Sequence, residues 1–298
     1  QITYLTRLLA VSQRFHPGRL DALLDRPIFT SADVPYRIAP FAEIVADPVN
    51  TITFDADADA RARARAVTRG GDGLLRTGAD GVLERVTLAD KLLNLLAAKL
   101  VNLVPGGGIW MNTQRPEWND ANNALVGHGV SIVTMAQVLE YVDLVGGLLG
   151  GRDVELRAEL ADLLDALAAA LASTPAGPVD DAARRVLMQA LGEAGERYRA
   201  AVYAGTSTAT RTHPAARAAS LLASARAWLV AGLDASRRPD GPFHSYRTLS
   251  LTDAAATLHD LPLMLEGQVA VIQSGHLSAD ATLDLLGRLR TSPLYRAD

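Results

Sequence analysis

The sequence predicts an all-α fold of antiparallel helical hairpins, on three observations. Apolar residues return at helical spacing in segment after segment: Leu92, Leu96 and Leu100; Leu156, Leu160, Leu163, Leu167 and Leu171; Leu187, Leu191, Ala194, Tyr198 and Val202; Leu222, Ala225, Leu229 and Leu233. Short breakers such as Thr174-Pro175-Ala176-Gly177-Pro178 divide these segments, which makes neighbours antiparallel. Two longer polar stretches, 115–129 and 237–253, then interrupt the helices as loops would on one rim. Paired helices with long loops at one rim match an α/α toroid or a part of one.

Taken in order, QITYLTRLLAVSQRF reads as an amphipathic helix with Leu5, Leu8, Leu9 and Phe15 inward. Residues 26–87 read as an irregular connection with short strands inside one domain spanning 1–298. Pro27, Pro35, Pro40 and Pro48 keep its first part extended. Within it, DADADARARARA places Asp57 and Asp59 four residues before Arg61 and Arg63, the order that suits both ion pairing and the helix dipole. A solvated helix is expected there in preference to a binding tract. RGGDGLLRTGADG has the turn chemistry of one small β-hairpin.

Leu88 to Val104 is the next predicted helix, ended by Pro105-Gly106-Gly107-Gly108. No Gly-Lys-Ser/Thr follows those glycines, so they read as a stop and not as a phosphate cradle. Val130 to Leu149 is apolar almost all round yet carries Gln137, Glu140 and Asp143, which predicts a helix buried in protein, not in a bilayer. The last helix is expected at Ser278–Leu289.

Composition narrows the function classes. In 298 residues, 29 basic and 33 acidic side chains are interspersed, giving a net charge of -4, and aromatics make up 5%. Neither a nucleic-acid groove nor a membrane surface is therefore expected as a partner. There are no cysteines, which removes disulfides, thiolate metal sites and cysteine nucleophiles. His16, His128, His213, His244, His259 and His276 lack metal-ligand spacing, so no metal and no cofactor is expected. With no charged start leading into an apolar run, a cytoplasmic location is the default expectation. A chain that begins at Gln1 fits a processed product or an excerpt, from which a removed leader would leave no trace.

The residues that carry chemistry lie in RPEWNDANNALVGHG, from Arg115 to Gly129. A carboxyl group beside an indole can protonate a glycosidic oxygen while the ring supports the apolar face of a pyranose, and amides bind sugar hydroxyls as donor and acceptor at once. Asn and Asp are also ordinary capping residues, so Asn122 or Asn123 capping the next helix, with Trp118 as a core anchor, is the plainer reading. Capping accounts for one or two of these side chains and not for the whole cluster.

Trp118-Asn119-Asp120, followed by Asn122-Asn123, Val126-Gly127 and Val130-Ser131, resembles the W-N-D-G-x-N-x-V-G…S-V segment of inverting disaccharide phosphorylases of the cellobiose phosphorylase type. Those enzymes belong to the six-hairpin, (α/α)6-barrel glycosidases. The resemblance implies that Asp120 is the general acid and that Trp118 lines the subsite of the cleaved sugar. Arg115, Glu117, Asn119, Asn122 and Asn123 would bind hydroxyls or orient Asp120. Pro116-Glu117 stands where the family has Gly-Asp, and Ala121 where it has Gly. The resemblance also implies a complete toroid of twelve helices. The periodicity supplies about nine, so a further chain segment or a homo-oligomeric partner would be needed to close it.

Two further sets complete the expected site. In RRPDGPFHSYRTLSLTD, His244, Tyr246 and Arg247 have the character of carbohydrate-subsite residues, although Phe243 and Tyr246 would serve equally as core anchors of the loop. Glu266, alone in the apolar run LPLMLEG, is expected to be desolvated and to act as the base of an inverting hydrolase, although a helix-capping or ion-paired Glu explains it equally well. In a phosphorylase, inorganic phosphate would be the nucleophile instead, held by Arg115, His244, Ser245 or Arg247. The availability of Glu266 favours hydrolysis. A noncatalytic helical scaffold or glycan-binding protein is the reading from a different class.

Overall fold

The computed structural model describes residues 2–78, 80–112, 124–205 and 209–296. It overturns the all-α toroid. The chain is 56% helix and 15% strand, and a curled five-stranded antiparallel sheet stands beside the helices. The helices are α1 (Ile2–Phe15), α2 (Phe41–Ala46), α3 (Ala56–Arg69), α4 (Leu88–Leu100), α5 (Ile132–Leu149), α6 (Ala158–Ala172), α7 (Asp181–Ala204), α8 (Ala215–Ala235), α9 (Leu265–Gln273) and α10 (Ala279–Arg290). The main sheet has the order β3 (Leu103–Val104), β4 (Gly108–Trp110), β5 (Gly129–Ser131), β8 (Tyr246–Leu251), β9 (Ala256–Asp260). Two small ribbons pair β1 (Tyr36–Ile38) with β2 (Ile52–Phe54) and β6 (Val154–Arg157) with β7 (Thr210–His213).

The helices gather round α5 instead of forming a ring. As its nearly uniform apolarity demands, α5 is buried over most of its circumference, with α1, α4, α8 and α9 packed against it. It is also the one described helix long and apolar enough to cross a membrane, and its burial within the protein accounts for that composition. Its start is set by Ser131, whose hydroxyl accepts the Thr134 N–H at 3.0 Å, and its end by Gly150 in the left-handed region. A second layer is the hairpin of α6 and α7, with α8 also lying on α6. One apolar cluster runs from Ile2 to Leu285 through all of these helices.

Short strands were expected within 26–87, where β1 and β2 lie; those of the main sheet escaped the sequence because they are two to six residues long, too short for a period to show against helical neighbours. Val104 and the glycines are the clearest case. The helix expected over 88–104 ends at Leu100, Leu103–Val104 turn into β3, and Gly106-Gly107-Gly108 form the tight turn into β4. Gly108 has φ +145°, and a Cβ there would sit 2.7 Å from the Ser131 carbonyl oxygen, so the sheet closes only on glycine. Likewise the expected rim loop 237–253 contains β8 over Tyr246–Leu251, and Thr252-Asp253-Ala254-Ala255 turns it into β9. One face of the sheet, formed by Val104, Trp110, Val130, Leu249 and Ala256, packs on Phe41, Ile44 and Met188.

Two smaller readings change as well. On α1 the inward residues are Ile2, Thr6 and Leu9, while Leu8 and Phe15 are exposed, forming with Tyr4 and Val11 an outward apolar stripe. The helix rotates so that Thr6 can face inward because its hydroxyl donates to the Ile2 carbonyl at 2.8 Å. In 26–87 the DADADARARARA helix is present as α3, capped by Asp55, and Asp59 pairs with Arg63 at 2.6 Å. The expected small hairpin shrinks to a 3-10 turn over Gly70–Leu74 and single bridges, Thr77 to Leu83 and Ala32 to Leu75.

Burial of two histidines sets the pH response. Desolvation, assisted by Arg211 and Arg217 against the opposing Asp165, lowers the pKa of His213 at the end of β7; desolvation, then Arg247, does the same for His244. A folded-state pKa below the unfolded value of about 6.5 means that stability is fully present above that pH and is lost as pH falls below it. The melting temperature should therefore be flat above about pH 7 and decline from about pH 6.5 downward, with His213→Asn reducing the slope. A melting temperature that rises on mild acidification would contradict the burial of both rings.

Candidate active site

Arg115, Glu117, Trp118, Asn119, Asp120, Asn122 and Asn123 lie outside the described residues. At the departing end, the Met111 N–H donates to the Gly129 carbonyl at 2.8 Å, and the Asn112 carbonyl accepts the Thr51 hydroxyl. The buried Asn112 side chain donates to Asn102 Oδ1 at 2.9 Å. At the returning end, the Gly127 N–H donates to the Met111 carbonyl at 2.7 Å, and the Gly127 carbonyl accepts Trp110 Nε1 at 2.8 Å. Gly127 has φ +81°, and a Cβ would meet the Pro48 carbonyl oxygen at 2.6 Å, so the return is packed against the segment between α2 and β2. Met111–Asn112 and Gly127–Gly129, the described residues on either side, are thus tied into paired strands.

The other expected residues form a second group. Tyr246 is buried, and its hydroxyl donates to Glu266 Oε2 at 2.8 Å. Glu266 itself is exposed in the first turn of α9, which corrects the expectation of a desolvated carboxyl. Its apolar neighbours do not enclose it because Gly267 and Gln268 turn inward in their place. Gln268 is fully buried and clamps Phe243 from both sides: its Oε1 accepts the Phe243 N–H at 2.8 Å, and its Nε2 donates to the Phe243 carbonyl at 2.6 Å. Ser245 Oγ accepts the Gly267 N–H at 2.7 Å. Phe243 and Tyr246 are therefore anchors, and they fasten β8 to α9.

Arg247 is a tie between three segments. It donates to Asp260 Oδ1 at 2.8 Å, to the Gly106 carbonyl at 2.9 Å and to the Ala235 carbonyl at 3.1 Å. His244 Nε2 stands 3.4 Å from the same Asp260 oxygen. Asp260 drew no attention in the sequence, where a lone acid at the end of ATLHD carries no signal. It follows from the antiparallel register, which sets Arg247 opposite Asp260.

β5 lies beside β8 with Gly129 opposite Thr248 and Ser131 opposite Tyr246, so the Tyr246–Glu266 pair sits at the Ser131 end, two residues from Gly129. At strand rise this is about 7 Å along β5. Nearer the Gly129 end are polar groups that the sequence did not disclose: Ser250 Oγ lies 3.0 Å from His259 Nε2, and the Thr257 hydroxyl donates to Asp181 Oδ2 at 2.6 Å. The Thr257 hydroxyl and then the Arg184 guanidinium hold the Asp181 carboxyl below the usual carboxylate range. The alternation Thr257-Leu258-His259 was the available clue, just beyond the expected rim loop 237–253.

No family model matches the chain, and no curated protein matches it.

Proposed function

We propose that the protein cleaves a glycosidic bond with inversion, Asp120 acting as general acid and Trp118 supporting the sugar ring. The observation that carries this reading is the concentration of an indole, two carboxyls and three amides in 117–123, between described residues that are tied into the sheet at β4 and β5. A rigid frame of this kind is what positions a proton donor against a leaving oxygen. Arg115, Glu117, Asn119, Asn122 and Asn123 would bind hydroxyls, and Ser250 and His259 extend the donor and acceptor set along the adjoining end of the sheet.

Between the two chemistries, hydrolysis has the better support. Glu266 is exposed and accepts the Tyr246 phenol at 2.8 Å, so a carboxyl group held by a buried anchor is open to solvent, as the base of a hydrolase must be to reach water. Of the groups that would bind attacking phosphate, two have other partners: Arg247 is bonded to Asp260 and two carbonyls, and Ser245 accepts from Gly267. An inverting base stands roughly 6.5–9.5 Å from the acid, with one water between it and the anomeric carbon.

Product identity, measured on a panel of glycosides with and without inorganic phosphate, tests the assignment. Free sugar of inverted configuration is expected without phosphate. Glu266→Gln should abolish this hydrolysis, and azide should restore cleavage as a glycosyl azide. A strict need for phosphate with release of a sugar 1-phosphate would replace hydrolysis by phosphorolysis, and no cleavage under either condition would turn the reading toward a helical glycan-binding scaffold.

A further inference from the structure

Away from the β4–β5 connection, the structure contains a cavity of about 300 Å³ whose wall carries four guanidinium groups, from Arg37, Arg61, Arg65 and Arg76, together with Asp33 and Tyr203. Three elements build it. The first is the β1–β2 ribbon, which contributes Arg37, while its Ile38–Ile52 end reaches Asn112 through Thr51. The second is α3, where Ala58, Arg61 and Arg65 share a face and the small Ala58 leaves the space. The third is the C-terminal turn of α7, from Val202 to Gly205.

The arginines are pre-positioned. Arg37 is bridged to Asp55 at 3.0 Å and lies over the Tyr203 ring at 4.7 Å; Arg65 is bridged to Asp33 at 2.6 Å and donates to the Gly73 carbonyl at 3.1 Å; Arg76 is bridged to Glu84 at 3.1 Å. Each of these carboxylates cancels one charge and also fixes one fork, so the entropy of ordering three long side chains is spent in folding and not on binding. Arg61 is different. It enters no salt bridge among the described residues, whereas Arg63 on the outer face of the same helix pairs with Asp59. The expected pairing of Asp57 with Arg61 does not form, and Arg61 turns to the cavity instead. Four cations against Asp33, Asp55 and Glu84 leave one uncompensated positive charge in a walled space.

We propose that this cavity is a binding site for a phosphate-bearing small molecule. Guanidinium forks match the paired oxygens of a phosphate, and one net positive charge among fixed donors selects an oxyanion over a neutral ligand. The volume is several times that of phosphate itself, at the lower limit of small-molecule pockets. The lining also includes Asp33, Thr77 and Tyr203, side chains that can hydrogen-bond hydroxyl groups. Arginines with these neighbours fit a phosphomonoester with a hydroxylated body. The site is independent of the glycoside reading, since it uses none of the residues named there.

Titration calorimetry at constant ionic strength tests it, with inorganic phosphate, a hexose 6-phosphate and sodium chloride as probes. Saturable binding of the phosphate probes and none of chloride is expected, with the ester bound more tightly than phosphate alone. Arg61→Ala should weaken binding about tenfold or more, Arg61→Glu further, and Arg63→Ala not at all. Both replaced side chains are exposed, so circular dichroism should be unchanged in all three variants. Equal affinity for phosphate and ester would overturn the hydroxylated body. Absence of saturable binding, or equal losses in Arg61→Ala and Arg63→Ala, would overturn the site.

Discussion

Asp120→Asn is expected to lower turnover of an unactivated glycoside by about 10²- to 10⁴-fold, the share of the barrier that a positioned general acid removes. The same substitution should leave melting temperature and sugar affinity close to those of the parent, because Asn keeps the volume and loses only the transferable proton. The loss should shrink on an aryl glycoside with an acidic leaving group, which departs without protonation. That substrate dependence separates a catalytic role from a capping role. An Asp that merely caps a helix would tolerate Asn, which caps equally well, would cost about 1 kcal/mol only on replacement by Ala, and would affect good and poor leaving groups alike. Equal rates for parent and Asp120→Asn on the unactivated substrate would remove the assignment and with it the inverting mechanism.

How much of this was legible depended on segment length and on whether partners were near in sequence. The long helices were legible, since eleven buried residues on α5 or the Leu160-Leu163-Leu167-Leu171 stripe of α6 leave a pattern that only a helix explains. The architecture they build was not. Periodicity says which face is buried and is silent on whether helices ring an axis or surround another helix, and here α5 occupies the centre. The main sheet was invisible because β3, β4 and β5 have two or three residues each, and β8 sat inside a stretch whose Pro, Asp and Gly announced a loop.

The site shows the same division. Residue types in 115–123 could be read because they are contiguous, whereas the roles of His244, Arg247 and Asp260 depend on strand pairing and could not. Arg247 was read as a ligand-binding cation and is a structural tie; Arg61 was read as half of a surface pair and faces a cavity. Both reversals have one cause. A charged side chain chooses among all acceptors within reach, and the i,i+4 neighbour is only the one that sequence displays.

The largest loss of stability is expected at Asp90. Its carboxylate is buried at the first turn of α4 and accepts the Arg157 backbone N–H at 3.0 Å and Arg157 Nη2 at 2.8 Å, with Arg157 itself 3% exposed at the end of β6. Thr87 caps the same turn through the Asp90 N–H at 3.1 Å, so one junction holds the start of α4 and the strand that leads into α6. Asp90→Ala leaves a guanidinium in the interior with only Glu84, 3.7 Å from Nη1, to balance it. Removing one partner of such a pair costs about 3–5 kcal/mol, because the remaining charge keeps its desolvation penalty and loses its compensation. Urea denaturation should show a lower midpoint with an unchanged slope, the mark of lost native stability without a change in the surface exposed. Replacing both groups, Asp90→Leu with Arg157→Met, should recover most of the loss, since no charge then stays buried unpaired. If the double replacement is as unstable as Asp90→Ala, the cost lies in the lost backbone acceptor for Arg157 and not in the orphaned charge. If Asp90→Ala costs less than about 1 kcal/mol, the value of an exposed pair, the guanidinium must reach water and the junction is not the buried anchor its geometry describes.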